Sequence, residues 1–286
     1  MKHIKYFFKF IFIYFLFIIF RFTGYRMASN LSGKIISLIG PLFRSKNLIA
    51  SNLLKALPDL NQNEINKISK NMWSNYGRIL SEYVFIKDIR KSKIRNIVEI
   101  DGQAILEEIK KNNEPVIFIS GHFNNFELMA MHIEKSGIDL AALYRPLNNK
   151  FLNFFMEKIR KKYICKNQIK KGISGTRQLL NCFKNSTSVA LMIDQRVSEG
   201  IKSYFFNHNA LTTTIPAQFY KKYKCKIVPV YIERKNDINF KLTIHKPLEY
   251  KKEDTIESIT LNLNKILEEM ILKNPDQWIW THDRWK

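Results

Sequence analysis

Cysteine is scarce: Cys165, Cys182 and Cys225 are the only three in 286 residues. No two of them stand at metal-ligand spacing, which excludes a short disulfide framework, speaks against a zinc or redox centre and favours a reducing compartment. Glycine (10) and proline (8) are too few for a fibrous or low-complexity chain, while a hydrophobic share of 45% is too large for a disordered one. Acidic residues are outnumbered 25 to 47, a formal net charge of +22. Lysine-rich composition accounts for part of that excess, and the field it creates attracts anionic membrane surfaces, phosphorylated lipids, acidic proteins or nucleic acid. A long hydrophobic run is also missing. The longest, residues 10–20, has eleven apolar residues, against about 20 for a comfortable bilayer span.

That run is nonetheless the first organising feature. Tyr6, Phe7 and Phe8 extend it across Lys9, and Lys2, Lys5, Arg21 and Arg26 flank it. Residues 21–27 offer no small-x-small cleavage site, which disfavours a signal peptide and leaves a short spanning helix or an interfacial one. Residues 1–26 are therefore read as a membrane-anchoring segment. Residues 27–95 follow as a helical leader of three or four helices, with apolar residues three and four apart and a break at Pro58. Beyond residue 96 short apolar runs at 96–100, 116–120, 139–144, 188–194 and 226–233 read as strands. The segments 104–111, 124–135, 150–162, 174–183 and 255–272 read as helices. This alternation predicts an α/β catalytic domain over 96–286, a mostly parallel sheet flanked by helices, with ligands at the carboxyl ends of the strands. Residues 240–244 form a further strand or an antiparallel hairpin partner.

The strand at 116–120 runs into Gly121-His122-Phe123-Asn124-Asn125-Phe126-Glu127. Asn124 or Asn125 is a good N-cap, which would put Glu127 in the first helical turn. Across such a turn Glu127 can hold the imidazole of His122 as a general base. A hydrogen-bonded loop histidine is the simpler reading of the spacing alone. No serine or cysteine nearby sits in a nucleophile elbow, so direct attack by a substrate hydroxyl is favoured over a covalent intermediate. Backbone N–H groups at the start of the Asn124 helix are candidate oxyanion donors.

His122-x-x-x-x-Glu127 resembles the His-x-x-x-x-Asp/Glu signature of glycerolipid-type acyltransferases. Its surroundings are similar to the lipid A biosynthesis acyltransferase family: Tyr144-Arg145-Pro146-Leu147-Asn148-Asn149, Gly172 and Arg177, Asp194-Gln195, Phe205-Phe206 with Thr212, Thr213 and Pro216, and the block from Trp278 to Trp285. The likeness covers nearly the whole chain, and Asn207, where a small residue is common, is its local departure. It implies transfer of a fatty acyl chain from acyl carrier protein, or from acyl-CoA, to a hydroxyl of a lipid A precursor, with no cofactor and no metal. His122 would be the base and Glu127 its orienting partner. Arg145 and Arg177 would grip phosphate or sugar acid, with a surface ion pair as the simpler alternative for either, and Asp194 would position an arginine or a sugar hydroxyl or cap the helix that follows. Trp278, Trp280 and Trp285 would pack the acyl tunnel or, as aromatics near a terminus more often do, close the core. Membrane lipids and acyl carrier protein are the implied partners, nucleic acid is not, and the implied location is the inner membrane with the catalytic domain facing the cytoplasm. The rivals are an acyltransferase acting on a glycerophospholipid or glycosylated phosphoinositide, and an inactive basic membrane-binding protein.

Overall fold

A computed structural model describes residues 2–286. The chain opens with α1 (Lys2–Thr23) and α2 (Tyr25–Ile39), separated at Gly24, followed by α3 (Lys46–Ala56), α4 (Gln62–Glu82) and α5 (Ile86–Arg90). Local chemistry sets these limits. Ser45 Oγ accepts from the Leu48 N–H at the start of α3, and Asn61 with Glu64 forms a capping box on α4. α3 ends at Ala56, two residues before Pro58, as the sequence predicts. α2 and α4 pack backbone to backbone: Ser32 Oγ donates to Gly77 O at 2.6 Å, and a Cβ on Gly77 would lie 2.2 Å from Ser32 O. Gly77→Ala should therefore force the pair apart at a cost of about 1–3 kcal/mol, read as a lower midpoint in thermal or denaturant unfolding.

Among the described residues nine strands follow: β1 (Val98–Asp101), β2 (Ile117–Ser120), β3 (Leu140–Tyr144), β4 (Asn167–Lys170), β5 (Ser188–Met192), β6 (Ile201–Phe205), β7 (His208–Thr212), β8 (Ile227–Arg234) and β9 (Phe240–Ile244). Seven form one sheet in the order β1-β9-β8-β2-β5-β3-β4. From β8 through β4 all neighbours run parallel. β9 turns antiparallel to β8, and β1 pairs parallel with β9. Helices α6 (Gln103–Asn112), α7 (Glu127–Lys135), α8 (Lys150–Tyr163), α9 (Ile173–Lys184), α10 (Ile215–Tyr223) and α11 (Ile256–Lys273) flank it. The predicted α/β architecture is thus present. β2 is buried along its whole length, as a central parallel strand covered on both faces must be.

Three elements escape the sequence pattern. β4 is a short edge strand with two polar residues and a lysine, so it has no apolar alternation to read. β6 and β7 form a hairpin in which Phe205 pairs with His208, closing over Phe206 and Asn207, both at positive φ (49° and 60°). Phe206 is an unusual residue for such a two-residue turn. It is held there by burial and by its N–H donating to Glu268 Oε1 at 2.8 Å. Asn207 tolerates the left-handed conformation, which resolves the departure at that position. α10 follows Thr214 with Pro216 in its first turn.

Candidate active site

Topology brings the ends of β2, β3 and β5 side by side, and with them His122, Arg145 and Asp194. Gly121 permits the closest approach: a Cβ there would lie 2.9 Å from the Phe123 ring and 3.3 Å from Asp194 Cβ. The chain turns at Gly121 and Asp194 receives His122 twice. The His122 backbone N–H donates to Oδ2 at 2.8 Å, and ring Nδ1 lies 2.8 Å from Oδ1. Trp278 Nε1 donates a third bond to Oδ2 at 2.8 Å. Burial alone would raise the Asp194 carboxyl, but the His122 charge, both His122 bonds and Trp278 outweigh it and bring it down to about 2. For His122, burial disfavours the imidazolium, and the charge and hydrogen bond of Asp194 overcome that penalty, so its pKa is raised. An ionised Asp194 accepts from Nδ1–H, which leaves the lone pair of the neutral ring on Nε2. The side chain is 23% exposed and faces a cavity.

The structure places the orienting carboxylate differently from the sequence expectation. Glu127 does not hydrogen-bond the imidazole: its Oε1 accepts from Arg160 Nε at 2.7 Å, from Arg160 Nη2 at 2.5 Å and from the Tyr83 hydroxyl. Its influence on His122 is through space, as a further negative charge that raises the imidazole pKa. The reason is the helix start. α7 begins at Glu127 itself with Phe126 at the N-cap, so neither Asn124 nor Asn125 caps it. Asn124 donates its N–H to Gln277 O at 3.1 Å, and Asn125 Nδ2 donates to Glu82 Oε2 at 3.1 Å. Glu82 is itself paired with Arg234 at 2.6 Å in the core. The asparagines thus pin the turn from outside, and the N–H groups of His122 and Asn124, engaged by Asp194 and Gln277, are not available as oxyanion donors.

Glu127 and Arg160 are both largely buried. Arg160→Ala should leave a carboxylate uncompensated beside the phenol of Tyr83, which burial and Glu127 already hold far above its usual range. The expected cost is about 3–5 kcal/mol, measured by denaturant unfolding.

The cavity encloses about 880 Å³, near the upper end of the ~300–1,000 Å³ usual for ligand sites. Its apolar wall includes Met129, Ala130, Leu143 and Leu191, its polar wall Gln195, Thr214, Gln218 and His282, and Arg145 and Lys171 stand among its lining residues. No serine or cysteine lines it among the described residues. Arg145 is exposed on this lining. Arg177 is not brought to it: its side chain is exposed on α9 and is absent from the lining. Asp194 is fully buried behind His122, so its partner is the imidazole and not an arginine or sugar hydroxyl. Trp278 and Trp280 are buried in the core and Trp285 packs on it. Trp278 does more than pack, because its indole anchors Asp194, and the sequence gives no sign of that. Tyr83 and Arg160 were equally hidden, one in the leader and the other in what reads as a surface run of cations. His282 accepts the Arg196 N–H through Nε2 at 3.0 Å. His132 is half-buried on α7 and driven down to about 4 by burial and the neighbouring Lys135 and Arg90 charges.

An imidazole braced by a buried carboxylate and facing a large part-apolar cavity that no serine or cysteine lines among the described residues is an arrangement suited to group transfer with general-base assistance. The chain belongs to the bacterial lipid A biosynthesis acyltransferase family, whose family model matches residues 1–286. Among curated relatives it is 23% identical over 261 residues to a lipid A biosynthesis palmitoleoyltransferase of Escherichia coli K12, covering 90% of this chain and 84% of that protein. It is 20% identical over 251 residues to the lipid A biosynthesis myristoyltransferase of the same organism, covering 87% and 76%. With the lauroyltransferase of that strain it shares 22% identity over 249 residues, 85% and 79% of the two chains. The three are named for three different acyl groups, so family membership leaves chain length open.

Proposed function

We propose that this enzyme transfers a fatty acyl chain from an acyl thioester, carried by acyl carrier protein, to a hydroxyl on a lipid A precursor, a secondary acylation in lipopolysaccharide biosynthesis. The observation that carries the reading is the His122–Asp194 pair at 2.8 Å, facing an 880 Å³ cavity in a chain of this family. His122 Nε2 takes the proton of the acceptor hydroxyl as its oxygen attacks the thioester carbonyl. The tetrahedral oxyanion then collapses, the C–S bond breaks, and the imidazolium returns the proton to the leaving thiolate. Asp194 holds the ring in the working tautomer and stabilises the imidazolium between the two proton transfers. Glu127, fixed by Arg160 and Tyr83, adds negative charge at that moment. No cofactor or metal is needed, since the thioester brings its own leaving group.

Arg145 and Lys171 supply cations to anionic groups of the acceptor, and the net charge of +22 favours both an acidic carrier protein and an anionic membrane. This reading puts the enzyme at the inner membrane with its catalytic body toward the cytoplasm, where acyl thioesters are made. Arg145→Ala should raise the acceptor concentration for half-maximal rate about tenfold, or ~1.4 kcal/mol, with kcat little changed. An unchanged acceptor dependence would remove Arg145 from binding.

The deciding experiment is mass spectrometry of a lipid A precursor incubated with the enzyme and acyl carrier protein loaded with C12, C14 or C16 chains, beside acyl-CoA donors. One added acyl group, absent with His122→Ala, supports the reading and reports the chain preference. Product on a glycerophospholipid but never on the lipid A precursor would overturn the acceptor assignment while keeping the chemistry.

A further inference from the structure

α1 is long and apolar enough to cross a bilayer, yet it does not stand clear of the catalytic body. Phe7 and Phe10 meet the Phe151 ring at 5.5 and 6.2 Å, and Tyr14 and Phe17 meet Phe155 at 5.8 and 6.0 Å. Further on, Ile18 shares a groove of about 320 Å³ with Ile159 and Tyr163. α8 therefore accompanies α1 over most of its length. Both ends are stitched down as well: Asn149 Nδ2 donates to Tyr6 O at 2.8 Å, and Arg21 pairs with Asp88.

α8 is not built for hydrocarbon. Lys150, Lys158, Lys161 and Lys162 are exposed along it, and through Arg160 it forms a wall of the catalytic cavity. Standing α1 across a bilayer would carry these ammonium groups, and the cavity wall with them, into a medium that solvates neither.

We propose that α1 lies in the plane of one leaflet as an interfacial helix, and that this attachment sets the mouth of the catalytic cavity against an anionic lipid surface. The face of α1 turned away from α8 carries Phe8, Phe12, Phe15, Ile19 and Phe22, all exposed, at helical spacings of three and four. Phe22, at 87% exposure, ends the stripe. Lys5 and Lys9 rise from the same helix, where long stems reach headgroup phosphates while the aromatic face stays in the acyl region. The apolar surface continues on the catalytic body at Phe154, 73% exposed on α8, and at Leu147, which is exposed and also lines the cavity. A lipid acceptor would then enter sideways from the leaflet without leaving it. The proposal concerns attachment and stands apart from the identity of the acyl acceptor.

The test uses the full chain with a hydrophilic protease-cleavable tag before Met1, in inside-out bacterial membrane vesicles. Labelling of Lys252→Cys by a membrane-impermeant maleimide marks the vesicles whose catalytic body faces outward. Cleavage of the tag without detergent, to the extent seen with detergent, is the expected result, since both ends of α1 then lie on one side. Cleavage only after detergent overturns the proposal. A second readout does not depend on the tag: Phe12→Trp, in vesicles of phosphatidylglycerol and phosphatidylethanolamine brominated at shallow or deep acyl positions. Quenching of the added fluorescence should be about twofold stronger from the shallow bromines, because an interfacial helix sits only ~5–10 Å into the boundary. Stronger quenching from the deep bromines would mean that α1 spans. Acyl transfer is measured separately on the same variants, so failure of the reaction and failure of this topology are distinguishable.

Discussion

Asp194→Asn should reduce kcat by about 10³–10⁴-fold with little change in acceptor affinity, although the variant is nearly isosteric. The asparagine oxygen can still accept from the His122 N–H and the Trp278 indole, the two donors now on Oδ2. Its amide nitrogen must then face His122 Nδ1, now 2.8 Å from Oδ1. An amide donates to Nδ1 where a carboxylate accepts, so the ring proton moves to Nε2 and the lone pair facing the cavity is lost. The pH profile adds a second signature. In the parent enzyme the base must be deprotonated to act, and Asp194 raises its pKa, so the acid limb of the rate profile lies above the ordinary histidine value of about 6.5. Without that charge, burial dominates and pushes the imidazole down, and the residual activity should show an acid limb displaced to lower pH. A variant with normal turnover and an unmoved limb would separate Asp194 from the mechanism.

His122→Ala should reduce transfer by about 10²–10⁴-fold, the contribution usual for general-base catalysis. The fold should survive, because the backbone N–H of residue 122 and Trp278 continue to satisfy Asp194. Loss of the ring still leaves one side of a buried carboxylate without its partner, so a destabilisation of about 1–3 kcal/mol is expected, with an unchanged circular dichroism spectrum. Retention of substantial turnover by a folded His122→Ala protein would remove the imidazole from the reaction. A Glu127→Gln variant discriminates the two carboxylates further. It keeps an oxygen for Arg160 and Tyr83 but removes a charge that reaches His122 only through space, so its kcat should fall less than that of Asp194→Asn.

The legible parts of the sequence were those that depend on short-range pattern. The buried strands at β2, β3, β5 and β8 announce themselves as apolar runs, and the amphipathic helices α6, α8, α9 and α11 as spacings of three and four. His122 was visible because a glycine followed by a histidine after a buried strand is a local event at a known edge of the sheet. Asp194 was visible as a residue at the end of another strand, but its partner was not. Its 72-residue separation from His122 is closed by the β2–β5 pairing, in which Ser120 stands opposite Met192, and no local spacing carries that register. Glu127 shows the opposite error. Five residues from His122, it looked like the natural partner, yet the start of α7 at Glu127 and the long reach of Arg160 from α8 take its carboxylate elsewhere.

Composition and periodicity by themselves determined that this is a folded, basic, α/β protein with an apolar amino-terminal helix and a histidine at a strand's carboxyl edge, because hydrophobic burial follows from the order of side chains along each element. Only the tertiary structure decided which carboxylate braces that histidine, that Arg177 faces away from the cavity while Arg160 faces into it, and that α1 is bound along α8. Each of those outcomes depends on which elements become neighbours. Hydrogen bonds and ion pairs act over a few ångströms of space, whatever the distance along the chain.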